Sequence, residues 1–105
     1  MAKLEYAQNA LSNIKRLVDF LIDSDIVAAL ETFDIINEAI QILRRHPDIG
    51  RLTSMTNKRE LVISRGRTGY IAIYEFNKLI DVVAILAIKH QREESFDYAK
   101  EDHKK

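Results

Sequence analysis

The chain has 105 residues and a mass of 12.1 kDa, enough for one hydrophobic core, so residues 1–105 are expected to form a single domain. A composition of 47% apolar and 30% charged residues, with three Gly and one Pro, excludes fibrous and disordered classes. The lack of Cys excludes disulfides, thiolate catalysis and Cys-held metal, and fits a reducing cytoplasm.

Formal net charge is zero, which argues against a dedicated polyanion binder. The charge is nevertheless segregated. Residues 1–43 hold three basic and seven acidic side chains, residues 44–67 seven and two, and the remainder six and seven. The middle of the chain is locally basic, which shapes a surface potential without any net charge.

In chain order, Lys3-Leu4-Glu5-Tyr6 alternates polar and apolar residues and predicts a short strand. No apolar run accompanies it, so neither a signal peptide nor a membrane span is expected. From Asn9 on, Leu11, Ile14, Leu17, Val18, Leu21 and Ile22 recur at helical spacing and predict a helix with one buried stripe. Ser24 and Asp25 interrupt it with capping oxygens, and Ile26, Ala29, Leu30, Phe33, Ile36, Ala39, Ile40 and Leu43 predict a second helix. Arg44, Arg45 and His46 are expected in its last turn, stopped by Pro47. The short connection makes the pair an antiparallel hairpin.

Residues 48–58 have no periodicity and read as a loop, long enough to be functional or mobile. Glu60–Ser64, Tyr70–Phe76 and Leu79–Ile88 follow as three strands of an antiparallel meander, joined by a turn over residues 65–69 and a tight turn at Asn77-Lys78. The last strand is apolar almost without break, as befits an interior strand. Residues 94–105 are charged and read as a disordered tail. The fold class is α+β, in the order β-α-α-β-β-β.

No phosphate loop, no paired His at metal spacing and no Ser elbow occurs, so no cofactor or metal is expected. Cations do gather at strand ends: Arg59 before the first meander strand, Arg65 and Arg67 in the next turn, and Lys89, His90 and Arg92 after the last. A meander returns the end of its third strand beside the first turn, so Arg65, Tyr70 and Lys89–Arg92 should share one end. Such a set can cleave RNA without metal, with His90 as base or acid and the cations on the phosphate. The same residues are also what a strand ending in solvated arginines presents.

The order of elements, with His46-Pro47-Asp48-Ile49-Gly50-Arg51, Arg59-Glu60-Leu61-Val62, Gly69-Tyr70-Ile71-Ala72-Ile73-Tyr74 and Ile88-Lys89-His90-Gln91-Arg92-Glu93, resembles the RelE/ParE superfamily of bacterial type II toxins across residues 3–93. The resemblance implies the toxin half of a toxin-antitoxin module, with roles in plasmid stabilisation and growth inhibition. It implies a cognate antitoxin that adds to the sheet or covers the helices, and leaves open a homodimer or a hetero-oligomer with that antitoxin.

RelE-like members cut mRNA on the ribosome, and ParE-like members poison DNA gyrase. RelE-like nucleases carry basic residues where this chain has Glu60, Val62 and Ile71, whereas a His followed by Arg after the last strand is ParE-like. The resemblance therefore favours a gyrase-binding protein that is not an enzyme. Its target-binding residues would be Arg51, Arg59, Arg65, Arg67, Lys89, His90 and Arg92, aided by the loop 48–58. The alternative, a ribosome-dependent endoribonuclease, would use His90, Arg92, Arg65 and Tyr98.

Overall fold

The structure, a computed structural model, describes residues 1–65 and 68–91. Its elements are β1 (Lys3–Tyr6), α1 (Gln8–Ile22), α2 (Ile26–Ile42), β2 (Arg51–Leu52), β3 (Lys58–Arg65), β4 (Thr68–Asn77) and β5 (Val82–His90). The expected α+β architecture is present, as one five-stranded sheet in the order β1-β5-β4-β3-β2. β3, β4 and β5 form the antiparallel meander, and β1 pairs parallel to β5, so the sheet is mixed. The expected tail at 94–105 lies outside the described residues. Among the described residues, no helix is long and apolar enough to cross a membrane.

The helical hairpin turns at Asp23–Asp25, and the Asp25 side chain accepts a hydrogen bond from the Ala28 amide at 3.1 Å, capping α2. α2 ends at Ile42, earlier than expected. Arg44, Arg45 and His46 therefore lie past its end rather than in its last turn. The Arg44 and Arg45 amides bond back three residues, to Gln41 and Ile42, so the chain tightens as it approaches Pro47.

The buried side of α2 also differs from the expected stripe. Ala29, Thr32, Ile36, Ile40 and Leu43 are buried, whereas Ile26, Leu30 and Phe33 are exposed. α2 is apolar on almost every side, so periodicity alone does not select the face that meets the sheet. In α1 the buried residues are Ala10, Asn13 and Leu17, with Leu11 and Ile22 exposed.

Two connections are more ordered than their sequences suggest. Within 48–58, Arg51 and Leu52 pair with Glu60 and Arg59 as β2. The Thr53 hydroxyl donates toward the Met55 and Lys58 carbonyls and accepts from the Met55 amide, and Asn57 takes a left-handed conformation at φ 61°. The β4–β5 turn spans 78–81 rather than two residues, so Leu79 and Ile80 stand outside β5. The Leu79 amide bonds the Asn77 side chain at 3.0 Å, and Asp81 closes the turn at φ 54°.

Both helices lie on one face of the sheet. Leu4, Tyr6, Leu61, Ile63, Tyr70, Ala72, Tyr74, Val83, Ile85 and Ile88 join Leu17, Ile36, Ile40 and Leu43 in one core. A short first strand creates a problem along β5. β1 pairs only with Val82–Ile85, and the Ala7 amide takes the Ile85 carbonyl. Beyond that point α1 replaces the missing strand. Asn9 Nδ2 donates to the Leu86 carbonyl at 3.4 Å, and buried Asn13 Oδ1 accepts from the Ile88 amide at 2.9 Å. Residues four apart share a helix face, which is why two asparagines suffice. Leu86 is itself the extra residue of a β-bulge, where the β4 register shifts between Ile73 and Tyr74.

Replacing Asn13 by Ala leaves the Ile88 amide buried without a partner, at an expected cost of about 1–3 kcal/mol. Chemical denaturation should show that loss, and amide exchange should speed at Ile88 more than at Ala72. Unchanged stability would exclude the helix as a substitute strand.

Candidate functional site

The meander brings strand ends together as expected. Tyr70 lies opposite His90, Ile71 opposite Lys89, and Arg65 opposite Thr68, while the Gln91 amide bonds the Gly69 carbonyl at 2.9 Å. The Gln91 side chain lies against Gly69, and a Cβ there would require that side chain to move aside. Alternation along β5, however, sends Lys89 and His90 to opposite faces. His90 shares the helix-covered face with Tyr70, their rings meeting edge to face at 5.4 Å and 84°. Lys89 shares the other face with Ile71 and Val62. Arg67, Arg92 and Tyr98 lie outside the described residues.

The remaining expected cations are elsewhere. Arg51 and Arg59 stand near the start of β3, about 20 Å along the strand from Arg65. Arg51 pairs with Glu60 at 2.8 Å. Arg59 Nη1 donates to the carbonyls of Asp48 and Gly50 at 3.1 and 2.8 Å, and Nη2 lies 3.6 Å from the Asp48 carboxylate. Arg59 is thus committed to holding the 48–50 backbone.

Tyr74 completes that attachment. Its fully buried hydroxyl donates to the Pro47 carbonyl and accepts from the Gly50 amide, both at 2.8 Å. A Cβ on Gly50 would stand 2.6 Å from this hydroxyl and 2.7 Å from the Glu60 carbonyl, so only glycine fits. Burial raises the Tyr74 hydroxyl above its usual 10.0, with the Gly50 hydrogen bond and nearby Arg59 opposing the shift. The sequence motifs containing Gly50 and Tyr74 are therefore physically joined. Sequence reasoning identified neither Tyr74 nor the pair Asn9 and Asn13 as a fixing point; the asparagines' one signal was two amides four apart on a helix.

Away from the helices the sheet shows three cross-strand rows: Val62–Ile71–Lys89, Glu60–Ile73–Ala87, and Lys58–Glu75–Ala84–Glu5. Lys58 and Glu75 form an ion pair at 3.3 Å. This face is a mixture of aliphatic side chains and balanced charge. Among the described residues, no three His, Asp or Glu side chains gather as metal ligands would.

A concavity of a different character lies between the helices. A cleft of about 440 Å³, of a size typical of ligand sites, is lined by Tyr6, Leu11, Ile14, Val18, Phe33 and Ile36, with the Lys15–Asp19 ion pair at its rim. Burial raises the Tyr6 hydroxyl above its usual 10.0. The exposed Leu30 and Ile26 lie one and two turns before Phe33 on α2.

Residues 4–95 match the family described as "ParE toxin of type II toxin-antitoxin system, parDE". The chain is similar in fold to the chromosomal ParDE toxin-antitoxin system from P. aeruginosa, at 19% identity and a TM-score of 0.73, over 86% of this chain and 96% of that one. It is similar to the isolated E. coli RelE toxin at 15% identity and a TM-score of 0.62, over 99% and 97% of the two chains. The intact E. coli RelBE toxin-antitoxin complex aligns at 13% identity and a TM-score of 0.59, over 84% and 94%. No curated protein sequence matches.

The Tyr74 attachment has a pH signature. A hydroxyl whose pKa is raised by folding favours the folded state while it stays protonated. Its contribution is complete below the unfolded value of 10.0 and is lost as pH climbs toward the folded one. Stability should therefore fall above pH 10 in the native protein and fall less in Tyr74→Phe, which should also cost about 1–3 kcal/mol at neutral pH. Denaturation at a series of pH values checks both, and identical alkaline profiles would remove Tyr74 as the titrating group.

Proposed function

Because the chain belongs to the ParE toxin family of type II toxin-antitoxin systems, within the RelE/ParE superfamily, we propose that it arrests growth by binding DNA gyrase. On this reading its site of action is the cytoplasm. We further propose that its cognate antitoxin neutralises it by laying an amphipathic helix into the cleft between α1 and α2.

The observation that carries the gyrase reading is the helix-free face of the sheet. Metal-independent RNA cleavage needs a base, an acid and cations converging on one phosphate. The positions where the superfamily's nucleases are basic are here Glu60, Val62 and Ile71, on one face with Val62 48% exposed. A carboxylate and two aliphatic side chains repel or ignore a phosphate. Lys89 sits at the end of that row, and His90 is turned to the other face against Tyr70.

The antitoxin seat is supported by exposed apolar surface. Leu11, Ile26, Leu30 and Phe33 border or extend the cleft. Burying each such side chain is worth about 1.5–3 kcal/mol, enough for a helix presenting anchors at three- and four-residue spacing to bind tightly.

Two measurements test these readings. Purified toxin added to gyrase should block supercoiling and trap cleaved DNA, while mRNA on a programmed ribosome stays intact; cleavage of mRNA in the A site would overturn the gyrase reading in favour of the endoribonuclease. Separately, Phe33→Glu should weaken antitoxin binding at least about tenfold in calorimetry while leaving growth arrest in place. Unchanged affinity would move the antitoxin out of the cleft.

A further inference from the structure

The end of the sheet where β4 turns into β5 carries an apolar protrusion that the fold does not use. Leu79 is 96% exposed and Ile80 65% exposed. Single exposed aliphatic residues are ordinary, but two adjacent ones on a fixed turn are not. The turn is held on both sides. Asn77 Oδ1 accepts from the Leu79 amide at 3.0 Å, and the Asp81 carbonyl accepts from the Lys3 amide at 2.9 Å.

That second bond places the chain's first residues beside the turn. Met1, 70% exposed, and Ile42, 48% exposed, add further apolar surface. The Ala2 amide bonds the Arg44 carbonyl at 2.8 Å, and Arg45 Nε reaches Met1 Sδ at 3.4 Å, so the end of α2 belongs to the same surface. Four cations, Lys3, Arg44, Arg45 and Lys78, stand around it, and none forms an ion pair with a carboxylate among the described residues. Carboxylates at this end include Glu38, Asp81 and Asp48, the last lining a pocket together with Lys78.

We propose that this end is the surface that engages the toxin's target protein, with Leu79 and Ile80 entering an apolar pocket whose rim carries carboxylates. The inference rests on the reading that this toxin acts by binding a protein. Three features select that partner. A phosphate backbone rewards the cations but offers nothing to two projecting aliphatic side chains. A fluid bilayer takes up apolar residues without requiring a pre-ordered turn. A shaped pocket is the receptor for which rigidity matters, because binding then loses little conformational freedom. Cations without a carboxylate partner around an apolar centre match the hot-spot arrangement of a buried anchor within a polar rim.

The test compares native toxin with Leu79→Asp/Ile80→Asp and, separately, Lys78→Glu, all at solvent-exposed positions, with thermal melting confirming the fold. Each is assayed for growth arrest on induction, for gyrase inhibition and for antitoxin affinity. The double variant should lose growth arrest at least about tenfold, Lys78→Glu should lose less, and antitoxin affinity should stay within about twofold of native. Full growth arrest by a folded double variant overturns the proposal, as does loss of antitoxin affinity with arrest retained. Should the native toxin arrest growth without touching gyrase and without cleaving message, the gyrase reading fails and loss of arrest in the double variant still upholds this surface, whereas arrest by message cleavage overturns both.

Discussion

The backbone along the inner edge of β5 must be hydrogen-bonded once it is buried, and the way this chain meets that demand fixes the rest of the fold. β1 is four residues long and satisfies only Val82–Ile85. Two asparagines on the first turns of α1 take over at Leu86 and Ile88. An amide that reaches into a strand edge anchors its helix far more specifically than aliphatic packing does, because its geometry admits one register. Once α1 is placed, the capped turn at Asp25 returns α2 across the same face. The opposite face of the sheet, the cleft between the helices and the β4–β5 turn are consequences of that placement.

Much of this was legible in the residues. Helical spacing gave both helices, the capping oxygen at Asp25 gave their junction, and β-branched runs gave the meander. The side of α2 that packs was not legible, because Ile26, Leu30 and Phe33 are as apolar as Ile36 and Ile40 and only the position of the sheet separates them. β2 was hidden because a two-residue strand has no period, and its order comes from Thr53 and Asn57 rather than from apolar residues. The turn at 78–81 was hidden because Leu79 and Ile80 read as a continuation of the apolar strand behind them.

The candidate site was legible in part, and for a similar reason. Meander topology alone brings His90 to Tyr70 and Arg65 to the same end of the sheet. Strand alternation then separates Lys89 from His90, which a cluster read along the chain does not reveal. Arg59 was singled out for its charge, yet its guanidinium holds the carbonyls of Asp48 and Gly50, next to the Tyr74 hydroxyl that holds the same segment. Basic residues in a locally basic stretch thus divide between architecture and exposed surface, and partners in space, not sequence, decide which.

On the proposed reading, a toxin whose helix-free face is aliphatic and charge-balanced acts by occupancy, and occupancy has a stoichiometry that catalysis lacks. The most direct measurement is a titration of DNA gyrase, held well above the dissociation constant, with increasing toxin while supercoiling is followed. Binding predicts a linear fall that ends near molar equivalence of toxin and gyrase binding sites, and recovery when antitoxin is added in equal amount. Arrest by toxin far below the concentration of its target, through repeated turnover on gyrase, DNA or ribosome-bound message, would contradict the account.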